Sequence, residues 1–101
     1  MINQVVLVGR LKEEIEWYDD FAVITLAVPR PYKNEDGEYD TDIIKCKMDD
    51  KMANNAEEYC HKGDIIGIKG KLENLTGNVE IVIEKMSFLS SKSINEEDNE
   101  E

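Results

Sequence analysis

Met1-Ile-Asn-Gln-Val-Val-Leu-Val-Gly-Arg-Leu11 opens the chain as a β-strand. Its apolar run, Val5 to Val8, ends on Gly9 and a charged residue, Arg10. A glycine inside a strand marks a sharp bend or the close approach of another backbone, because it carries no side chain. The stretch therefore reads as the first strand of a small closed β architecture that turns hard at Gly9. With a strand this early, no signal peptide, leader or long arm is expected ahead of it.

Working outward, Phe21 to Arg30 alternates as a second strand, with Ile24, Leu26 and Val28 on one face and Val23, Thr25 and Ala27 on the other. Tyr18-Asp19-Asp20 is a compact turn between the two. Lys33 to Glu38 is a hairpin tip, because Asp36-Gly37 supplies the positive φ that a tight turn needs. Asp42 to Met48 is a third strand, with Ile44, Cys46 and Met48 inward and Ile43, Lys45 and Lys47 outward. A helix follows. Asp49 or Asp50 caps its start. Met52, Ala53, Ala56, Tyr59 and Cys60 recur at helical spacing, and Gly63 ends it as a left-handed cap. Asp64 to Leu72 is a fourth strand with Ile66, Ile68 and Leu72 inward and Ile65, Lys69 and Lys71 outward. Leu75 to Asn78 is a turn, and Val79 to Leu89 a fifth strand, apolar on both faces. Tyr59 and Phe88 are assigned to the core. From about Ser91 the residues are Ser, Lys, Asn and acid, which reads as disorder.

These assignments divide the chain into one domain, residues 1–90, and an acidic tail, residues 91–101. Five strands with one short helix between the third and fourth is the order of an all-β, Greek-key oligonucleotide/oligosaccharide-binding (OB) barrel. Another small β barrel or a sandwich is the structural alternative.

Composition narrows the chemistry. The 101 residues suit a single domain with a modest core. Cys46, Cys60 and His61 are too few for a Cys/His zinc site, so no metal is expected. There is no Gly-rich phosphate loop and no catalytic triad pattern, so neither a cofactor nor an enzymatic activity is expected. Glu13, Glu14 and Glu16 have no nucleophile or second ligand cluster to work with and read as a solvated strand edge. Cys46 alternates as a core residue. No apolar run approaches the ~20 residues of a membrane span. A cytoplasmic protein with both thiols reduced is expected, and in that setting the sequon Asn74-Leu75-Thr76 has no meaning.

Charge is the second large fact. The chain has 12 basic and 23 acidic residues, a net −11. Five of the acids fall in Asn95–Glu101; without them 18 acids face 12 bases, or −6. Taken alone this argues against a nucleic-acid partner, whose phosphates usually call for a basic footprint. Screening limits each charge to about 8 Å at physiological salt, however, so clustering on one face matters more than the sum. Lys45, Lys47, Lys69 and Lys71 alternate outward on the third and fourth strands, with Arg30 and Lys33 just past the second. On one sheet face these six converge into a phosphate-binding surface. The competing reading is a solvated face on which Lys blunts aggregation.

Tyr32, beside Arg30 and Lys33, is the best candidate for stacking on a base; alternatively it packs on its own hairpin. Tyr39 is a weaker candidate. Trp17 is either a stacking residue or a half-buried core edge. Arg10, after the Gly9 bend, meets either phosphate or a carboxylate of the chain.

The residues also carry a resemblance. Met1–Leu11 resembles the opening of bacterial and phage single-stranded DNA-binding proteins. Ile24–Lys33 resembles that family's second strand and exit loop, and Asp42–Cys46 and Ala56–Leu72 resemble its third strand, helix and fourth strand in order. The match covers nearly all of Met1–Leu89. It implies an OB fold, cooperative sequence-independent binding of single-stranded DNA, and a homo-oligomer, usually a tetramer. Departures accompany it. Ile43 and Asp49 stand where relatives carry aromatics. The Asn74–Asn78 hairpin is short and lacks aromatics and bases, and the tail lacks a final Pro-Phe.

The expected function is thus single-stranded DNA binding in replication, recombination or repair, through Arg10, Arg30, Tyr32, Lys33, Lys45, Lys47, Lys69, Lys71 and Trp17. The alternative is an OB-fold interaction module with weak or no DNA binding. A self-pairing first strand implies a dimer or tetramer. The tail is either a solubilising appendage, a competitor for the Lys face, or a docking segment for replication and repair proteins. No membrane partner is expected.

Overall fold

In the computed structural model, which describes residues 1–90, the chain runs β1 (Val5–Leu11), β2 (Glu16–Trp17), β3 (Phe21–Lys33), β4 (Tyr39–Asp49), α1 (Asp50–Tyr59), β5 (Ile65–Leu75) and β6 (Asn78–Ser90). β3 and β4 form a long antiparallel hairpin from Phe21↔Asp49 to Lys33↔Tyr39. β5 and β6 form a second, from Ile65↔Ser90 to Leu75↔Asn78. β6 then lies parallel to β4 through Cys46↔Ile81 and Lys47↔Val82. β1 pairs with β5 from Val5↔Gly70 to Arg10↔Ile65 and turns onto β3 at Arg10↔Ala27 and Leu11↔Leu26. The five long strands close into a barrel, with β2 added to β3 at its margin. This is the OB architecture that the element order predicts.

Two glycines permit the closure. A Cβ at Gly9 would lie 2.7 Å from the Ala27 carbonyl oxygen, so only glycine lets β1 cross onto β3 there. At Gly70 the added atom would collide with the Val82 carbonyl oxygen, so glycine permits the close pairing of β5 with β6 just after the register shift at Lys69/Gly70.

Alternation fills the interior. Leu11, Ala22, Ile24, Leu26, Cys46, Met48, Ile66, Ile68 and Ile83 are buried. From α1, Ala53, Ala56 and the following Cys60 join the same core. The Asp49 side chain caps the helix by accepting from the Met52 amide at 2.7 Å. Burial pushes both thiols up to about 11, with Asp64 and Glu14 adding to the effect at Cys60.

Several expectations need correction. The opening strand begins at Val5 rather than Met1. Glu16-Trp17 forms a short strand of its own, so the Tyr18–Asp20 turn joins β2 to β3. The helix ends at Tyr59, its C-cap is the extended Cys60, and the left-handed Gly63 (φ 99°) lies in the turn beyond. Of the Asp36-Gly37 pair, only Gly37 has a positive φ.

Leu72 is exposed. The β1 cover stops at Val5↔Gly70, and from there the β5–β6 hairpin projects past the barrel, held at its base by Asn3, which exchanges hydrogen bonds with the Leu72 backbone. Tyr59 and Phe88 are also exposed, at 58% and 40%. They meet at 5.7 Å where the end of the helix crosses the end of β6, outside the core rather than within it. The acidic run at Asn95–Glu101 and the expected tail lie outside the described residues.

Candidate nucleic-acid interface

The sheet of β3, β4 and β6 is concave on its outer side. A hollow of about 470 Å³ is lined there by Tyr18, Phe21, Val23, Lys45, Lys47, Val79 and Glu80. Its floor is aromatic. Tyr18 and Phe21 flank the Asp19-Asp20 turn, and the tight reversal from β2 to β3 lays their rings together at 4.9 Å and 12°. The Lys47 Nζ sits over the Phe21 ring, 4.4 Å from its centroid, a favourable cation–π position. An aromatic surface beside an ammonium group offers a base a stacking face and a phosphate a charge.

Lys45 and Lys47 share this hollow as their outward alternation predicts. Lys71 reaches its border by register. Lys47 pairs with Val82, and Val82 with Lys71, so the three occupy one rung across β4, β6 and β5. The expected convergence of six cations is only partly formed, because β6 separates β4 from β5. Lys69 faces a different concavity, with Val6, Val8, Lys85 and Leu89. It stands directly opposite Lys85.

Arg30, on the arm of the β3–β4 hairpin, is engaged elsewhere. Its guanidinium donates to both carboxylate oxygens of Asp42, at 2.9 Å from Nη2 and 3.1 Å from Nε, with Asp40 at 3.8 Å. The hydrogen bonds to Asp42 raise the Arg30 pKa and hold the Asp42 carboxyl below the usual carboxylate range. Tyr32 and Tyr39 are exposed on the same arm, and Lys33 Nζ lies 5.9 Å from the Tyr39 ring centroid. Arg10 donates to the Gly63 carbonyl at 2.6 Å, a backbone partner rather than a carboxylate. Trp17, on β2, is 42% exposed.

The cations of the hollow have carboxylate neighbours. Lys45 meets Glu16 at 4.0 Å, Lys47 meets Glu80 at 4.0 Å, and Lys71 meets Glu73 at 3.3 Å. Among the described residues no group of three or more His, Cys, Asp or Glu is placed to hold a metal ion, and no helix is long and apolar enough to cross a membrane.

The model of the single-strand binding protein family matches residues 2–89. The chain belongs to the single-strand binding protein family. A relative named single-stranded DNA-binding protein 3, from Listeria innocua, is 41% identical over 106 residues, covering 91% of this chain and 66% of the relative. A single-stranded DNA-binding protein of Lactiplantibacillus plantarum is 36% identical over 110 residues, covering 95% of this chain and 55% of its own. The chain thus spans less than two thirds of the length of either. Among solved structures, the fold matches the mitochondrial single-stranded DNA-binding protein Rim1 of S. cerevisiae at a TM-score of 0.71 and 19% identity, covering 90% of this chain and 99% of that one. At that identity the likeness concerns the fold.

Tyr18 and Phe21 were not among the residues picked out from the sequence. Two aromatics three positions apart across an Asp-Asp turn were a usable signal. The turn brings them together on the side that Lys47 also faces.

Proposed function

We propose that this member of the family binds single-stranded DNA without sequence preference, through the hollow between β3, β4 and β6. The observation that carries the reading is the stacked Tyr18–Phe21 pair beneath Lys47. Every base has a π-face, so stacking of this kind tolerates sequence. Lys45 and Lys71 supply charge on either side, and Tyr32, Lys33 and Tyr39 extend the path along the hairpin arm. Arg30 orders that arm through Asp42 and keeps little charge for phosphate. Arg10, Trp17 and Lys69 do not line this hollow, and Lys69 faces the other concavity. The activity is non-enzymatic: the protein holds strands unpaired during replication, recombination or repair, in the cytoplasm.

A second copy of the chain completes the assembly. β1 pairs with β3 only at Arg10 and Leu11, so the outer edge of Val5–Gly9 has no strand beside it among the described residues. Val6 and Val8 are exposed on the same strand. An open apolar edge of this kind is usually covered, and β1 pairing with β1 of another copy covers it. The acidic tail, residues 91–101, recruits replication and repair proteins.

One observation favours the other reading, an interaction module without useful DNA affinity. Each lysine of the hollow already has a carboxylate beside it, in a chain of net charge −11. Titration of labelled oligo-dT at low salt decides between the two. Saturable binding supports the proposal, and no signal at protein concentrations of about 50 µM favours the module, since even non-specific binders reach about 1–100 µM at physiological salt.

A further inference from the structure

Lys45 and Lys47, which line the hollow, and Lys71 at its border each face one carboxylate of the same chain: Glu16, Glu80 and Glu73. The carboxylates come from three different strands. Glu16 lies on β2, on the rung that runs through Val23 to Lys47. Glu80 lies on β6, one residue before the Cys46↔Ile81 rung. Glu73 lies two residues along β5 from Lys71. The side chains of the Lys45–Glu16 and Lys47–Glu80 pairs keep a third or more of their surface exposed, and exposed ion pairs contribute little to folding. Holding the barrel together is therefore a poor explanation for them. Their position explains more: Glu80 lines the hollow itself, beside Lys45 and Lys47.

We infer that Glu16 and Glu80 are built-in competitors for the ligand's phosphates at Lys45 and Lys47. The inference rests on the proposed use of this hollow for single-stranded DNA. A phosphate that approaches Lys47 gains its ammonium only as Glu80 gives it up, so one ion pair replaces another and the net gain is small. Stacking on the aromatic floor displaces no carboxylate; on Phe21 it exchanges only with the Lys47 ammonium that lies over the ring. Affinity then comes mainly from stacking, the ionic part is muted, and the bound strand is easily displaced. Such a site also responds weakly to salt, because fewer phosphates are fully neutralised and fewer counterions released.

The test uses the full chain and the variants Glu80→Gln, Glu16→Gln and their combination, which keep shape and remove charge. Glu57→Gln, on an exposed face of α1, is the control for net charge alone. Binding of labelled oligo-dT is measured by anisotropy across a salt series, with thermal unfolding as a check on folding. Each single variant is expected to bind about 2- to 5-fold tighter, the scale of one exposed ion pair. The double variant gains about the product, and its slope of log K against log salt is steeper. Glu57→Gln changes little, because screening limits its reach to about 10 Å at 0.1 M salt. A double variant with wild-type affinity and slope overturns the inference, as does a Glu57→Gln gain equal to that of Glu80→Gln. Loss of all oligo-dT binding in the wild type and every variant instead overturns the use of the hollow on which the inference rests.

Discussion

Phe21→Leu removes the part of the hollow that the account depends on most. The ring stacks on Tyr18 at 4.9 Å and lies 4.4 Å from the Lys47 ammonium. Within the protein, an aromatic pair of this kind and an exposed cation–π contact are together worth about 1–2 kcal/mol. For a domain of this size each kcal/mol lowers Tm by about 4–8 °C, so the variant melts about 5–15 °C lower and stays folded at 25 °C. The loss to binding is larger in proportion. One base–aromatic stack contributes about 1–3 kcal/mol, which weakens oligo-dT by about 5- to 150-fold. Anisotropy titration at one fixed salt concentration measures it. Phe88→Leu is the control, since Phe88 is likewise ring-paired, though more exposed than the half-buried Phe21, and meets Tyr59 at the far end of β6. The reasoning is refuted if folded Phe21→Leu binds within about twofold of wild type, or if Phe88→Leu weakens binding equally.

Further predictions concern the frame that carries the hollow. Gly70→Ala places a Cβ 2.2 Å from the Val82 carbonyl oxygen, where a C···O contact closes at about 3.3 Å; overpacking of this kind costs about 1–3 kcal/mol and appears as a lower Tm. Cys46 and Cys60, with thiols raised to about 11, react slowly with iodoacetamide in the native protein at about pH 8, close to the ordinary thiol range, and fast after unfolding. Because those pKa values are raised by folding, the thiols' contribution to stability is complete below the ordinary thiol range and is lost as pH climbs through about 11, visible as a falling alkaline Tm. The Asp42 carboxyl, depressed by its hydrogen bonds from Arg30, keeps the arm ordered as pH falls past the ordinary value of about 3.9 and releases it only further down; an NMR titration of Asp42 reads this, and Arg30→Gln returns the carboxyl to the ordinary range.

Much of the barrel was legible in the sequence. From Ile44 to Met48 of β4 apolar residues alternate with lysines, Ile24 and Leu26 of β3 keep the same two-residue spacing, and Ile24, Leu26, Cys46 and Met48 are buried as that pattern requires. The Gly9 bend was legible because a strand interior has few other uses for glycine. What escaped was tertiary. Leu72 alternates correctly with Ile66 and Ile68 but lies beyond the end of β1, so the face that it shares has no cover. Tyr59 keeps helical spacing yet falls on the last residue of α1, where its ring meets Phe88 outside the core. Two residues, Glu16 and Trp17, are too few to show a period, and β2 was invisible for that reason.

The site was less legible than the fold. Alternation placed Lys45 and Lys47 outward, and they share the hollow. Alternation does not say which strands are neighbours. The parallel insertion of β6 between β4 and β5 moves Lys71 to the border and leaves Lys69 opposite Lys85. The partners of the cations depend on the same cross-strand geometry. Arg30 beside Asp42, and Lys47 beside Glu80, are separated in sequence and meet only through register.

Equilibrium titration of labelled oligo-dT over a salt series shows whether the Tyr18–Phe21–Lys47 hollow binds single strands. Saturable binding is expected, with a slope of log K against log salt no steeper than about −2.8, the value for full neutralisation of four phosphates, at Lys33, Lys45, Lys47 and Lys71, on a single strand. No binding at low salt with about 50 µM protein, where even non-specific binders register, would contradict it.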